Sequence, residues 1–275
     1  MIICRGVQTS LFLYMEFSMC EIYGFSGNRE KELNNDLREF YSHACDHPNG
    51  WGLALLDQSV PEITREVCRA DRSTLLSERL SLPVTAKTAL AHIRLATVGN
   101  EDYDNCHPFT AVDNSGRSWT LIHNGTIFES DKLNKYVFRQ KGETDSERIL
   151  LYIVDRINEA TAKAKKGLNA EERFEVLDEI ISNSSSKNKL NLLIYDGELL
   201  YAHTNFRDSL YERKDDDGVT ISTRPLTESG WRPVPFTTLI AYREGERVFT
   251  GADHHREYIF DPSSYKPLYL AYSGL

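Results

Sequence analysis

In the first half of the chain, apolar residues alternate in short runs typical of strands, around one segment with helical spacing. "CEIYGFSG" (20–27) is predicted to be a strand that closes in a turn, and residues 30–46 a helix. Further strands are predicted at 50–57, 88–97 and 118–124. The helix would bury one face, made of Leu33, Leu37, Phe40, Tyr41 and Ala44.

Two helices are predicted in the middle of the chain. The first starts near Thr144, which has capping-box spacing to Glu147, and its apolar residues repeat at helical period. The second covers about 170–182, and the polar segment "SNSSSKNK" (182–189) is predicted to be a loop. The apolar positions of the first helix are Ile149, Leu150, Ile153, Val154 and Ile157.

The last third returns to strands and tight turns. Asp196–Gly197 and Glu244–Gly245 each separate two apolar runs, a pattern that predicts two hairpins. "DDDG" (215–218) precedes a further strand, "VTISTRPL". Strands, then helices, then strands favour an α+β fold with mainly antiparallel sheets over alternating βαβ units. No linker is evident, so we expect one domain, 20–275, preceded by a leader, 1–19.

The composition of the chain argues against several classes of function. The net charge of the 275 residues is −9, and no basic stripe offers a footprint for nucleic acid. No apolar run approaches the length of a membrane span. The cysteines are odd in number, widely spaced and without a CxxC pair, which favours a reducing compartment, and we expect the cytoplasm. They are Cys4, Cys20, Cys45, Cys68 and Cys106.

Cys20 is a candidate nucleophile because Met19 precedes it. Taken alone, a single cysteine in a strand is more often a small buried residue. If translation starts at Met19, however, removal of the methionine exposes Cys20 with a free α-amine. That amine has a reference pKa of about 7.7–8.0 and can serve as the base for its own thiol. A propeptide cut before Cys20, or a targeting segment, would also explain the leader, although 1–19 makes a poor secretory signal.

Three further stretches carry candidate chemistry, each with a structural alternative. Arg94 could clamp a carboxylate through its planar fork or form a surface ion pair. Asn124 and Gly125 could donate to an oxyanion, although Asn–Gly is also a common hairpin turn. Asp145 could receive an ammonium group while the neighbouring Thr144 caps a helix.

Two histidine pairs are spaced somewhat like metal ligands. His43 and His47 are four residues apart, but the pattern lacks the glutamate of a zinc motif. His254 and His255 are adjacent and would point apart on a strand. We therefore expect no metal site at either pair.

In their order along the chain, these stretches resemble the class II glutamine amidotransferases, a family of N-terminal-nucleophile hydrolases, and most of all its stand-alone branch. The resemblance rests on Met19–Cys20 and on a set of short motifs, and it extends over residues 20–275. The motifs are "HPNGWGLAL" (47–55), "AHIRLATVGN" (91–100), "CHPF" (106–109), "WTLIHNGTI" (119–127), "GETDSE" (142–147) and "ISTRPLT" (221–227) with "GW" (230–231).

The resemblance implies a four-layer αββα sandwich of two antiparallel sheets and a role for each candidate residue. Cys20 would be the nucleophile, and Asn124 with Gly125 the oxyanion hole. Arg94, assisted by Thr97, would bind the substrate α-carboxylate, and Asp145 would bind the α-ammonium. Many members have histidine after the threonine, where this chain has Val98, so one polar contact to the carboxylate would be lost or replaced. No cofactor is implied.

These residues would recognise a glutamyl group, but they do not specify which leaving group is attached to it. We expect hydrolysis of a γ-glutamyl amide, with glutamine or a γ-glutamyl peptide or conjugate as the substrate. Two alternatives stay open. The chain could be an ammonia-supplying subunit with an acceptor-domain partner, or a non-catalytic binding or regulatory module that keeps the fold.

Overall fold

The computed structural model describes residues 20–96, 99–128 and 130–261. Within them the chain forms thirteen strands and four α-helices. The strands are β1 (Glu21–Glu32), β2 (Trp51–Leu55), β3 (Glu62–Glu66), β4 (Thr85–Ile93), β5 (Phe109–Val112), β6 (Ser118–Thr126), β7 (Lys189–Tyr195), β8 (Leu200–His203), β9 (Tyr211–Lys214), β10 (Gly218–Ser222), β11 (Trp231–Pro233), β12 (Ile240–Arg243) and β13 (Glu246–Thr250). The helices are α1 (Asn34–Ser42), α2 (Thr74–Ser81), α3 (Asp145–Ala164) and α4 (Ala170–Ser184).

The strands form two sheets in which every pairing is antiparallel. The first sheet has seven strands in the order β11-β9-β10-β1-β4-β2-β3, and the second has six in the order β13-β12-β8-β7-β6-β5. Strands β1 and β4 lie inside the first sheet, and β6 and β7 inside the second. Cys20, Arg94 and the pair Asn124–Gly125 lie at or near the ends of β1, β4 and β6, whereas Asp145 begins α3.

Three hydrophobic clusters give the molecule four layers. Between the two sheets pack residues such as Ile22 and Leu90 from the first and Ile122 and Leu193 from the second. On the outer face of the first sheet pack α1 and α2, and on the outer face of the second pack α3 and α4. The predicted αββα sandwich is therefore confirmed. Its apolar layers follow from the alternation of side chains along each strand.

The start of the chain differs from the prediction. Strand β1 does not close in a turn near Gly27 but continues to Glu32, with a register shift between Ser26 and Lys31. The extension is held from a distant part of the chain, because Asn28 N–H donates to Asp217 O (3.1 Å) and the Arg29 side chain pairs with the Asp217 carboxylate. The helix predicted from residue 30 therefore begins at Asn34.

Most of the turns and caps follow their sequence signals. The hairpin at Glu244–Gly245 has positive φ at both residues (51° and 80°), and the one at Asp196–Gly197 joins β7 to β8. At the start of α3, Thr144 accepts from Glu147 N–H (3.2 Å), but the Glu147 carboxylate accepts instead from the backbone of Lys141 and Gly142, at 2.8 and 2.9 Å. The Thr144 cap is thus confirmed without the reciprocal half of the box.

Four strands were not predicted: β9, which lies inside the first sheet, and three edge strands. Strands β3 and β11 border the first sheet and β5 borders the second. They are short and largely exposed or only partly buried, so their residues lack the apolar alternation that marks a half-buried strand. The strand expected around His254 and His255 is not formed. None of the helices in the described part of the chain is long and apolar enough to cross a membrane.

Candidate active site

Cys20 lies directly before β1, next to the end of β4. The pairing of β1 with β4 sets Glu21 opposite Ile93, and this brings Cys20 against Leu95. The Cys20 Sγ donates to Leu95 O (3.2 Å) and accepts from Leu95 N–H (3.3 Å). The sulfur is thus held at a fixed point where the first sheet meets the second.

Burial raises the pKa of the Cys20 thiol above its ordinary value. The hydrogen bond to Leu95 and the positive charges of Arg94 and Lys189 act in the opposite direction but are smaller effects. At neutral pH the sulfur is therefore a thiol and not a thiolate. A nucleophilic role at this position requires a base that can take the thiol proton.

Arg94 follows β4 and is buried, with only 3% of its surface exposed, so the interpretation as a surface ion pair is wrong. Its guanidinium donates to Gly99 O (3.0 Å) and Asn100 O (3.1 Å). It also borders the same small cavity as Cys20. The side chain thus holds the backbone at Gly99 and Asn100 beside a cavity that Cys20 also borders.

Asn124 and Gly125 lie inside β6, paired with Asn191 and Leu190 of β7, so they are not a hairpin turn. A Cβ at position 125 would lie 2.0 Å from Lys189 O and 2.4 Å from His123 Nε2, which explains why this position needs glycine. The Asn124 side chain is buried, and its Oδ1 has no hydrogen-bond partner among the described residues. Tertiary pairing has overridden the local turn signal.

Asp145 is the first residue of α3 and is buried. Its Oδ2 accepts from Ile127 N–H (2.6 Å) and its Oδ1 from Ser146 N–H (2.9 Å). The carboxylate thus joins the helix to the chain just beyond Asn124 and Gly125. Both interpretations of this stretch hold, since Thr144 caps the helix while Asp145 faces a cavity.

Two cavities meet at Cys20. The small cavity has a volume of about 20 Å³, and its lining includes Cys20, Arg94, His107, Gly125 and Asp145. The large cavity has a volume of about 540 Å³, and its lining includes Cys20, Asn124, Lys189, Phe206, Arg207 and Arg224. The adjacent residues Asn124 and Gly125 thus border different cavities, whereas Cys20 borders both. Thr97 and Val98 lie outside the described residues.

Two side chains at these cavities were not assigned a role from the sequence. Lys189 begins β7 and is 2% exposed, and its ammonium lies 4.5 Å from the centre of the Phe206 ring. Burial lowers the pKa of Lys189 to about 7. The sequence signal for this residue was its place at the start of the mainly apolar run "KLNLLIY", but the sequence analysis assigned it to the end of a polar loop.

The second is His107, which stacks on His92 with ring centres 4.0 Å apart. Both of its ring nitrogens are buried without a hydrogen-bond partner among the described residues. Burial holds the pKa of His107 well below its ordinary value, so the ring is neutral and a weak base. The motif "CHPF" contained the signal for this residue.

Replacing Lys189 by methionine is expected to stabilise the fold most at low pH. At pH values between the folded pKa of about 7 and the unfolded value of about 10.4, the Lys189 side chain is protonated in the unfolded wild type but not in the folded one. The wild-type free energy of unfolding therefore rises with pH across this window, by a few kcal/mol, whereas that of Lys189→Met does not. Urea unfolding from pH 6 to pH 10 measures the difference between the two proteins.

The same substitution at Lys163, exposed on α3, serves as the control and should differ from wild type by an amount that does not change between pH 7 and pH 9. An advantage of Lys189→Met that stays constant or grows from pH 7 to pH 10 would contradict the burial of a charged ammonium at this position.

The two histidine pairs have other partners. His43 Nδ1 contacts the Glu21 carboxylate (2.8 Å), and His254 Nε2 contacts His203 Nε2 (2.9 Å). His255 is exposed and lies beside Asp253. Among residues 20–96, 99–128 and 130–261, no group of three or more histidine, cysteine or acidic side chains is arranged to hold a metal ion.

A family profile decides the classification. The profile of the class II glutamine amidotransferases matches residues 19–214. The chain belongs to the class II glutamine amidotransferase family. The match begins one residue before Cys20 and contains the motifs from "HPNGWGLAL" to "GETDSE", whereas "ISTRPLT" lies beyond it. Members of this family use glutamine as their substrate.

Individual relatives extend the match of this amidotransferase chain. An uncharacterized protein of Methanocaldococcus jannaschii is 26% identical over 259 residues, 84% of this chain and 71% of the relative. Glutamine–fructose-6-phosphate aminotransferase of Chlorobaculum tepidum is 31% identical over 147 residues, 50% of this chain and 22% of that enzyme. The chain therefore matches a fraction of the larger enzyme.

Solved structures support the fold of the amidotransferase domain. The crystal structure of a predicted glutamine amidotransferase from Pseudomonas aeruginosa superposes with a TM-score of 0.56 at 22% identity, covering 84% of this chain and 95% of that one. The glutamine phosphoribosylpyrophosphate amidotransferase of B. subtilis gives a TM-score of 0.62 at 16% identity, covering 85% of this chain and 49% of that one. At these identities the likeness concerns the fold alone.

Proposed function

We propose that the protein hydrolyses a γ-glutamyl amide through a thioester on Cys20, with glutamine as the default substrate. The observation that carries the proposal is that residues from four separate stretches of sequence meet around one sulfur. Arg94, Gly125 and Asp145 border the small cavity with Cys20, and Asn124 borders the large one. This is the set that acyl transfer from a zwitterionic substrate requires.

The two charged residues would bind the glutamyl end of the substrate. The Arg94 guanidinium would pair with the α-carboxylate and the Asp145 carboxylate with the α-ammonium, which fixes the γ-carbonyl against Cys20. The small cavity, at about 20 Å³, holds little more than one water molecule. Binding of a glutamyl group would therefore require the residues that line this cavity to move apart.

The proposed active chain begins at Cys20, because the α-amine is the base that the buried thiol needs. His107 and His123 also border the small cavity, but burial lowers the pKa of both rings, so each is a poor proton acceptor. A free α-amine has a reference pKa of about 7.7–8.0. The family match that begins at residue 19 supports a chain whose first residue is Cys20 after removal of Met19.

The reaction would proceed in two balanced steps. The α-amine takes the thiol proton as the Sγ–C bond forms, and the oxyanion is held by the Asn124 side chain and the Gly125 N–H. The amine then gives the proton to the leaving nitrogen as the C–N bond breaks. Water adds to the thioester, the sulfur leaves and regains a proton, and glutamate is released.

Glutamate release from glutamine and from glutathione tests this proposal. The chain beginning at Cys20 should release glutamate from at least one of them, and Cys20→Ala should release none above background. Intact mass of protein made in cells should give a first residue of Cys20. If wild type and Cys20→Ala gave the same background with both substrates, the enzyme assignment would be rejected in favour of a non-catalytic module.

The cytoplasm is the location that we propose. In the described part of the chain, the cysteines are free thiols, as a reducing compartment would leave them. These residues are Cys20, Cys45, Cys68 and Cys106. Fractionation of the cells that make the protein, with detection of the chain in each fraction, would check this location.

A further inference from the structure

The polar side chains that line the small cavity differ from one another in their hydrogen bonding. In the described part of the chain, all but one of them already hydrogen-bond to other groups of the protein. These are Cys20, Arg94, His123, Thr144, Asp145 and Ser146. The exception is His107, for which neither ring nitrogen has a partner among the described residues.

The unpaired nitrogens of His107 are buried. The residue is 4% exposed, and its ring is neutral because burial holds its pKa well below the ordinary value. A neutral imidazole has one N–H donor and one acceptor nitrogen. Burial of both without a partner costs folding free energy, so a group of this kind calls for a ligand or a chemical role. A ligand in the small cavity would supply a partner.

Three strands fix the position of the His107 ring. It stacks on His92 of β4, with ring centres 4.0 Å apart, and meets the edge of Phe109 of β5 at 4.5 Å. The backbone of His107 lies against Gly52 of β2, where a Cβ would come within 2.0 Å of His107 O. Because the ring is already ordered, a hydrogen bond from it to a ligand would cost little side-chain entropy.

In the proposed complex, the α-carboxylate of the glutamyl group is the end that needs a further donor. Arg94 would attract this carboxylate by its charge, but the guanidinium already donates to Gly99 O (3.0 Å) and Asn100 O (3.1 Å). The α-ammonium would meet the full opposite charge of Asp145. An N–H group of His107 would add a donor that is not shared with the backbone.

We propose that His107 is a substrate-binding residue that donates a hydrogen bond to the α-carboxylate of the glutamyl group, beside Arg94. The inference rests on the proposed function, because it adds a contact to the same glutamyl site. It gives a role to a ring that borders the cavity of the nucleophile and yet is too weak a base to take the thiol proton. The contact would form whichever leaving group the glutamyl group carries.

Two variants of His107 separate hydrogen bonding from packing. His107→Leu and His107→Gln have side chains of similar volume and both lose the stacked ring, but only glutamine keeps an N–H donor. With a substrate that the wild type hydrolyses, we expect KM to rise about tenfold or more in His107→Leu and kcat to change much less. His107→Gln should recover part of the loss. Equal KM values in the two variants would overturn the proposal.

Stability without substrate is a readout that a purely structural role would not reproduce. Leucine buries no unpaired polar group, so His107→Leu should resist urea at least as well as His107→Gln although it binds substrate more weakly. If His107→Leu were instead the less stable of the two and kept the KM of His107→Gln, the ring would have a structural role, such as holding a permanent water. His255→Leu, at an exposed position, is the control and should leave kcat and KM unchanged.

An amidated substrate tests which end of the glutamyl group His107 contacts. The hydrolysed substrate is compared with the same compound in which the glutamyl α-carboxylate has been converted to an amide. Replacing His107 by leucine should lower kcat/KM about tenfold or more for the first and much less for the second. An equal loss with both compounds would reject the α-carboxylate as the partner.

The wild type separates failure of this inference from failure of the proposed function. If it releases no more glutamate than Cys20→Ala from glutamine and from glutathione, the proposed function itself fails. If it is active and His107→Leu keeps the wild-type KM, the proposed function stands and the contact with His107 is rejected.

Discussion

A chain that retains residues before Cys20 is expected to release glutamate about 10²- to 10⁴-fold more slowly than a chain that begins at Cys20. In the longer chain the nitrogen of Cys20 is part of a peptide bond and cannot accept a proton. Burial raises the pKa of the thiol, so little thiolate forms without a base. The loss of the base should therefore appear mainly in kcat.

Two preparations measure this effect, one with residues 1–19 retained and one beginning at Cys20, each verified by intact mass. Cys20→Ala gives the background, and Cys45→Ala, a thiol on the short helix His43–Asp46, controls for the loss of a cysteine elsewhere. Equal rates from the two verified preparations would exclude the free-amine mechanism and leave another group as the base.

Asn124→Ala is expected to lower kcat by about 10²- to 10³-fold with a much smaller change in KM. Asn124 borders the large cavity beside Cys20, and in the proposed mechanism its amide donates to the carbonyl oxygen as this oxygen becomes negative. A donor that interacts with the oxyanion and only weakly with the ground-state carbonyl stabilises the transition state selectively. Its removal therefore affects turnover more than binding.

Steady-state kinetics with a substrate that the wild type hydrolyses checks this expectation. The control is Asn35→Ala, the same substitution at an exposed position of α1, which should leave kcat and KM unchanged. Urea unfolding of both variants verifies that the fold is intact. A change in KM alone in Asn124→Ala would assign the side chain to substrate binding and not to the oxyanion.

Local sequence patterns predicted much of the framework. The apolar spacing of α3 and α4 identified both helices, and the Asp–Gly and Glu–Gly pairs identified two hairpins. These features depend on residues within a few positions of one another, so short-range rules describe them. The continuation of β1 beyond Gly27 was missed because its partner, Asp217, lies far along the chain.

Part of the candidate site was likewise predictable from the sequence, and part of it was not. The motifs around Cys20, Arg94, Asn124 and Asp145 predicted residues suited to amide chemistry, and the family match covers all four positions. The sequence left open whether Asn124–Gly125 was a turn and whether Arg94 was on the surface. The pairing of β6 with β7 and the burial of Arg94 decided both questions.

By itself, then, the sequence determined the succession of strands, helices and strands, the α+β class and the residue types that can carry out acyl transfer. Only the tertiary structure decided that Lys189 lies in the lining of a cavity beside Cys20, and that Cys20 borders two cavities of different size. The physical reason is that the depth of a side chain and the charge of its surroundings depend on how the two sheets stack. Stacking is a property of the assembled layers, whereas spacing along the chain is a property of each element alone.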